Sequence, residues 1–169
     1  MTVSALTRYV CSAHNKEAEK RASIRQGENL LQNSENQPAL YAIFHLNLAF
    51  SSISQEQRKE VMERCYRPLL AMVEELSLPV GIECTGYTLE AIEKEDPGCL
   101  AKLKSLLEQG TCELIASGQS QMIGPLIPAA VNEVNLSLGL KTYEALLGTR
   151  PSVAYVNEQA WSAGLLDLY

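Results

Sequence analysis

Two patterns of apolar positions alternate along this chain. Short apolar runs recur at intervals, and the stretches between them place apolar residues at three- and four-residue steps. The first run, "ALYAIFHLNLAF" (39–50), is apolar and aromatic enough for a buried strand of about eight residues. In "SSISQEQRKEVMERCYRPLLAMVEELSLP", which follows, Val61, Cys65, Leu69, Met72, Val73 and Leu76 fall on helical spacing and predict an amphipathic helix. Pro68 would interrupt it unless it occupies the first turn of a second helical piece, where its missing N–H costs nothing.

The alternation then repeats. "PVGIEC" (79–84) reads as a second strand, and "YTLEAIEKEDPGCLAKLKSLLEQG" as helix with a break at Asp96-Pro97-Gly98. "CELIAS" (112–117) is the third strand. "PAAVNEVNLSLGLKTYEALLG" predicts a helix that Pro128 begins and Gly148 stops in a left-handed turn. "PSVAYV" (151–156) is a fourth strand, and "AWSAGLLDLY" starts one more helix. Strands separated by helices of this length are βαβ units with right-handed crossovers, so the expected class is α/β with a parallel sheet. Residues 1–37 differ: a charged, helical-looking middle and the turn-forming "NSENQP" predict a polar N-terminal extension and linker ahead of a domain over 38–169.

Composition narrows the partners. With 14 basic against 20 acidic residues the net charge is -6, and no basic stripe is interleaved with aromatics, so nucleic acid is a poor partner. No apolar run reaches the ~18 residues a membrane span needs, and the N-terminus has no sustained apolar stretch like that of a secretory signal; the chain reads as cytoplasmic with no membrane partner. Five scattered cysteines without a CxxC pair argue against a disulfide framework or a structural zinc site. No metal or cofactor is expected.

In parallel α/β folds the loops leaving the carboxyl ends of the strands open on one face, where ligands bind. The first exit carries His45 and Asn47, and the second Glu83 with Thr85. Ser117, Gln119 and Gln121 leave the third, Asn157 and Glu158 the fourth. With Tyr87 and Trp161 supplying flat faces, this mixture suits a sugar, which offers hydroxyls and an apolar ring face. Each residue also has a plain structural reading. His45 can be a satisfied strand residue, Glu83 a cap or ion-pair partner, and Gln119 and Gln121 can satisfy loop backbone. Trp161 can be core, and Glu158 can cap the helix expected after it.

Four stretches carry a resemblance that bears on this choice. "FHLNLA", "CTGYTLEAIE", "ELIASGQSQMIGPLIP" and "YVNEQAW" are similar to the early motifs of glycoside hydrolase family 57, and the likeness covers residues 39–169. The resemblance implies an incomplete seven-stranded parallel (β/α) barrel, of which about the first four β/α units are present, and retaining chemistry on α-glucans. It implies that Glu158, in "YVNEQAW", is the nucleophile, and it puts Gly86 and Glu90 on the second-strand pattern. His45, Asn47, Glu83, Gln119, Gln121, Asn157 and Trp161 become substrate-binding candidates. Two departures stand out: Asn47 lies where a second histidine is common, and Gln121 where a carboxylate is.

Retaining glycosidases use two carboxyl groups about 5 Å apart. The N-terminus of a helix near Trp161, with Asn157 and His45 as donors, is expected to keep Glu158 ionised. The family's general acid is an aspartate on a later strand, so the 169 residues alone are expected to be inactive, as the N-terminal piece of a longer enzyme. The expected partners are an oligo- or polysaccharide and either the remaining part of the barrel or a second copy of the chain. A non-catalytic carbohydrate-binding relative is the alternative. A polysaccharide deacetylase-like barrel is disfavoured because its metal site needs a His-x-x-x-His pair, and His14 and His45 are too far apart in sequence.

Overall fold

The computed structural model describes residues 40–77 and 79–169; the N-terminal extension expected over 1–37 lies outside them. Strand β1 (Ala42–Leu46) is shorter than its apolar run suggests. It is followed by α1 (Arg58–Val61), a π-helical turn (Met62–Tyr66) and α2 (Arg67–Leu76). Pro68 stands in the first turn of α2. Without an N–H it cannot bond to the carbonyl four residues back, and the wider π turn just before it lets the helical path continue through that gap.

Then come β2 (Val80–Cys84), α3 (Gly86–Glu95), α4 (Pro97–Glu108), β3 (Cys112–Ala116), α5 (Ala129–Leu147) and β4 (Val153–Ala154). The expected break between α3 and α4 is Asp96, whose carboxylate accepts from the Cys99 N–H at 3.0 Å and so caps α4. Pro128 caps α5, and Gly148, at φ 69°, ends it.

The last two elements differ from expectation. Only two residues of "PSVAYV" pair as strand, with one further bond from Tyr155 N to Ala116 O at 2.7 Å. In place of the helix expected from "AWSAGLLDLY" there is a single 3-10 turn, Ala163–Leu165, followed by turns. No side chain caps its start, so the first N–H groups of a helix would lack a partner here.

All pairings are parallel and the strand order is β1-β2-β3-β4. Alternate strand residues point to opposite faces. Leu46, Val80, Ile82, Cys84, Leu114 and Ala116 face the helices and form one core with Met62, Leu70, Val73, Leu89, Leu103, Leu106 and Leu147. No strand residue of the opposite parity joins that core. Helices on one face and a strand order without reversal make a barrel wall rather than a doubly wound sheet.

Helix α5 is inverted with respect to its solvent. It buries Asn132, Asn135, Gly139 and Tyr143, with Leu147 joining the core only at its end, and exposes Val131, Val134 and Leu138. The buried polar groups have work to do. Tyr143, 0% exposed, reaches the ends of two strands: its hydroxyl lies 2.8 Å from Cys84 O and 3.1 Å from Gly118 O, and it accepts from Ser117 N at 3.0 Å. Burial pushes its pKa well above the ordinary phenol range, so the proton needed for donation stays in place.

Replacing Tyr143 with Phe keeps the ring and takes this partner from Cys84 O and Ser117 N, while Gly118 O keeps its bond from Gly86 N; stability should fall by about 2 kcal/mol. Urea denaturation measures this, and a loss below about 0.5 kcal/mol would show that the strand ends do not depend on the hydroxyl.

Candidate active site

A cavity of about 460 Å³ opens at the carboxyl ends of the strands, lined by Asn47, Ala49, Thr85, Tyr87, Ser120, Gln121, Ile123 and Glu158. All four exits contribute. The loop after β3 sets its shape. Gly118, at φ 85°, turns that loop, and a Cβ at Gly139 would lie 2.5 Å from the Gly118 carbonyl carbon, so α5 presses directly on loop backbone. The first N–H groups of α3 hold the loop from the other side: Gly86 N donates to Gly118 O and Tyr87 N to Gln119 O, both at 2.9 Å. Asn135 acts as a surrogate peptide, accepting from Ser120 N at 2.8 Å and donating to Ser120 O at 3.0 Å.

Gln121 leaves this clamp with its side chain in the cavity. Its Oε1 accepts from Asn47 Nδ2 at 2.8 Å, and its Nε2 donates to Glu158 Oε1 at 3.2 Å. Glu158 itself has φ 55° and ψ 17°, and Gln159 follows at φ 53°. Two successive left-handed residues without a glycine are uncommon and cost roughly 1 kcal/mol or more each. They turn the chain sharply after Asn157, and the Glu158 side chain is exposed to the cavity rather than buried in the strand.

The groups expected to surround Glu158 are elsewhere. No helix begins near Trp161, so no helix dipole acts there. Asn157 is buried and turned back onto β3, accepting from Ser117 Oγ at 2.9 Å. His45 donates from Nδ1 to Glu83 Oε2 at 2.7 Å and meets the Tyr155 ring edge-on at a centroid distance of 4.9 Å. Because His45 and Glu83 precede Asn47 and Thr85 by two residues, this pair sits one layer deeper than the cavity wall. Gln119 packs against Gly86 and accepts from Thr142 Oγ1 at 2.8 Å. Trp161 is 56% exposed, outside the cavity lining. Of the candidates, Asn47, Gln121 and Glu158 are brought together in the cavity, and His45 with Glu83 beneath it.

Reasoning from the sequence passed over Arg58. Its Nη2 donates to the Tyr87 hydroxyl at 2.8 Å, with the guanidinium carbon 5.4 Å from the ring centre, so α1 steadies one wall. An arginine on a helical run carries no signal of such a contact. Asn135 and Tyr143 gave only a faint one, as polar residues on the helix face that packs inward. The buried thiols among the described residues take no part: burial raises Cys99 and Cys112 to about 11, and Cys84 higher still. Among the described residues no group of three or more His, Cys, Asp or Glu could hold a metal ion, and no helix is long and apolar enough to cross a membrane.

Parallel strands, helices on one face and a polar cavity at the strand ends define a protein of the (β/α)-barrel class. The chain belongs to glycosyl hydrolase family 57, whose model matches residues 2–169. It is 29% identical over 109 residues to the 4-alpha-glucanotransferase of Thermococcus litoralis, covering 64% of this chain and 16% of that one. Likeness to the alpha-amylase of Pyrococcus horikoshii is 29% over 111 residues, 64% and 17% of the two chains. The crystal structure of the Thermococcus litoralis enzyme superposes with a TM-score of 0.64 at 26% identity, over 76% of this chain and 20% of that one. A branching enzyme from Thermococcus kodakaraensis shares the fold, with a TM-score of 0.55 at 16% identity, covering 68% and 32%. The four strands and their helices thus correspond to the N-terminal part of the family's (β/α)7 barrel. This chain spans about a sixth of the length of the relatives it matches by sequence.

The His45–Glu83 pair yields a test of its own. Glu83 is 6% exposed, so His45→Phe leaves its carboxyl group without that donor, while the 48% exposure of the His45 side chain lets water in to replace it. We expect a loss of about 1–2 kcal/mol, less than for a fully buried pair. Adding Glu83→Gln to His45→Phe should recover part of that loss in thermal denaturation; a double variant whose loss equals the sum of the single losses would show that Glu83 is held by other groups.

Proposed function

We propose that this chain carries the nucleophile side of a retaining glycosidase or glucanotransferase site for α-glucans, with Glu158 as the nucleophile. The observation that carries the proposal is the placing of Glu158. It is the one carboxylate in the cavity lining, and it stands there on a strained backbone among uncharged hydrogen-bonding groups. Membership of the family, and relatives named 4-alpha-glucanotransferase and alpha-amylase, support the substrate class.

In the reaction a Glu158 oxygen forms a bond to the anomeric carbon as the bond from that carbon to the departing oxygen breaks. The departing oxygen keeps the electron pair and takes a proton from a general acid. Water, or another glucan hydroxyl, then attacks the same carbon, gives its proton to the acid's conjugate base and frees the carboxylate. Tyr87 offers a flat wall and Asn47 a partner for hydroxyls; His45 and Glu83 support this wall from below. We assign the proton donor to residues beyond the described lining, because a single carboxylate does not serve both roles. General acid catalysis contributes about 10²–10⁴-fold, so Glu158 without that donor should be nearly inert on ordinary glucans. The four free cysteines among the described residues fit a reducing compartment, and we place the protein in the cytoplasm.

An α-glucosyl fluoride needs no proton donor, because fluoride leaves as the anion. Incubated with the chain, it should give a mass increase of one glucosyl unit; Glu158→Gln should abolish the adduct while leaving maltooligosaccharide binding, read by calorimetry, within about threefold. An adduct that persists in Glu158→Gln would remove the nucleophile assignment. Glucan binding with no adduct in the unsubstituted chain would favour a carbohydrate-binding role without catalysis.

A further inference from the structure

Gln121 is engaged at both ends of its amide. Oε1 accepts from Asn47, and Nε2 donates to Glu158, so a continuous chain of hydrogen bonds joins the exits of the first, third and fourth strands. One N–H and one lone pair remain for anything else. The direction of the chain is fixed by chemistry: a carboxylate accepts only, so Gln121 must turn its NH2 toward Glu158 and its carbonyl toward the Asn47 amide. Asn47 is held in turn, because its own Oδ1 accepts from Ala49 N at 2.9 Å. At the other end, the backbone that presents Gln121 is clamped through Ser120 by Asn135.

Glu158 needs such a restraint. Its side chain is long and exposed to the cavity, and the hydrogen bond from Gln121 ties it to the fixed loop after β3. An unrestrained carboxylate would sample several rotamers, whereas attack on an anomeric carbon requires one. We propose that Gln121, steadied by Asn47, is a positioning residue: it acts through Glu158, fixing the rotamer of its carboxylate, more than through contact with the sugar. This rests on the reading of Glu158 as nucleophile. A neutral amide suits the task, since it orients the carboxylate with no second negative charge beside it.

Three measurements on the full 169-residue chain test this. Gln121→Leu keeps the volume and removes both bonds. At saturating α-glucosyl fluoride it should slow formation of the glucosyl adduct by about 10- to 100-fold, with the Kd for maltotetraose changed less than about twofold. A raised Kd with an unchanged rate at saturation would make Gln121 a sugar contact and overturn the proposal. Gln121→Glu should be slow at neutral pH and recover as the pH falls toward about 5, because two adjacent carboxyl groups then share one proton; a flat profile would count against it. The third readout does not depend on activity. In 1H–15N spectra, Glu158→Ala should move the side-chain amide signals of both Gln121 and Asn47, and unmoved Asn47 signals would break the chain. If the unsubstituted protein forms no adduct, the nucleophile reading fails by itself, and these spectra alone decide whether the chain of amides exists.

Discussion

The site depends on one buried hydroxyl. Parallel strands end in carbonyl groups that the ladder no longer satisfies, and a sheet with helices on one face has little water with which to satisfy them. Tyr143 brings a phenol from the last turns of α5 to the ends of β2 and β3, where its oxygen accepts from Ser117 N and lies within hydrogen-bond reach of Cys84 O and Gly118 O. Everything further out is registered on that point. The loop leaves β3 at Ser117, turns at Gly118 with α5 pressed against it at Gly139, and reaches Gln121 with little freedom left. The stiffness of the cavity is therefore a property of the buried face of α5.

This explains why α5 breaks the usual pattern. A helix packed on a sheet ordinarily turns its apolar stripe inward. Here the inward stripe must serve loop backbone, so it carries amides, a glycine and a tyrosine. Asn135 makes two hydrogen bonds to Ser120 that match those of a neighbouring strand, in a place where no strand can go. The exposed Val131, Val134 and Leu138 are the converse of that arrangement.

The same economy limits what could be read from the residues alone. Helical spacing and turn chemistry located α2, α3, α4 and α5, and the alternation of strands and helices led to the parallel sheet, because those signals are local. What followed β4 was not legible. "AWSAGLLDLY" has helical composition, yet Trp161 and Leu166 remain exposed, and the segment forms only a 3-10 turn where an apolar face gains little burial. Polarity at the strand exits was legible; its use was not. Gln119, Gln121 and Asn157 are alike as side chains, but Gln119 packs on Gly86, Asn157 returns to Ser117, and Gln121 alone enters the cavity. Those differences arise from backbone direction at Gly118 and at Glu158, which no residue type announces.

Glu158 is the sharpest instance. A carboxylate closing an apolar strand would pay heavily for desolvation if the strand continued straight into the core. The chain avoids that cost by spending a smaller one in backbone strain: Glu158 and Gln159 adopt left-handed angles that carry the side chain out to the cavity, while buried Asn157 holds the strand end through Ser117. A glycine would relieve the strain at 158 and a serine the desolvation, and either would lose the carboxylate. A glutamate kept in this conformation, beside an amide already oriented to meet it, is more economically explained by what its oxygens do in the cavity than by any contribution to the fold.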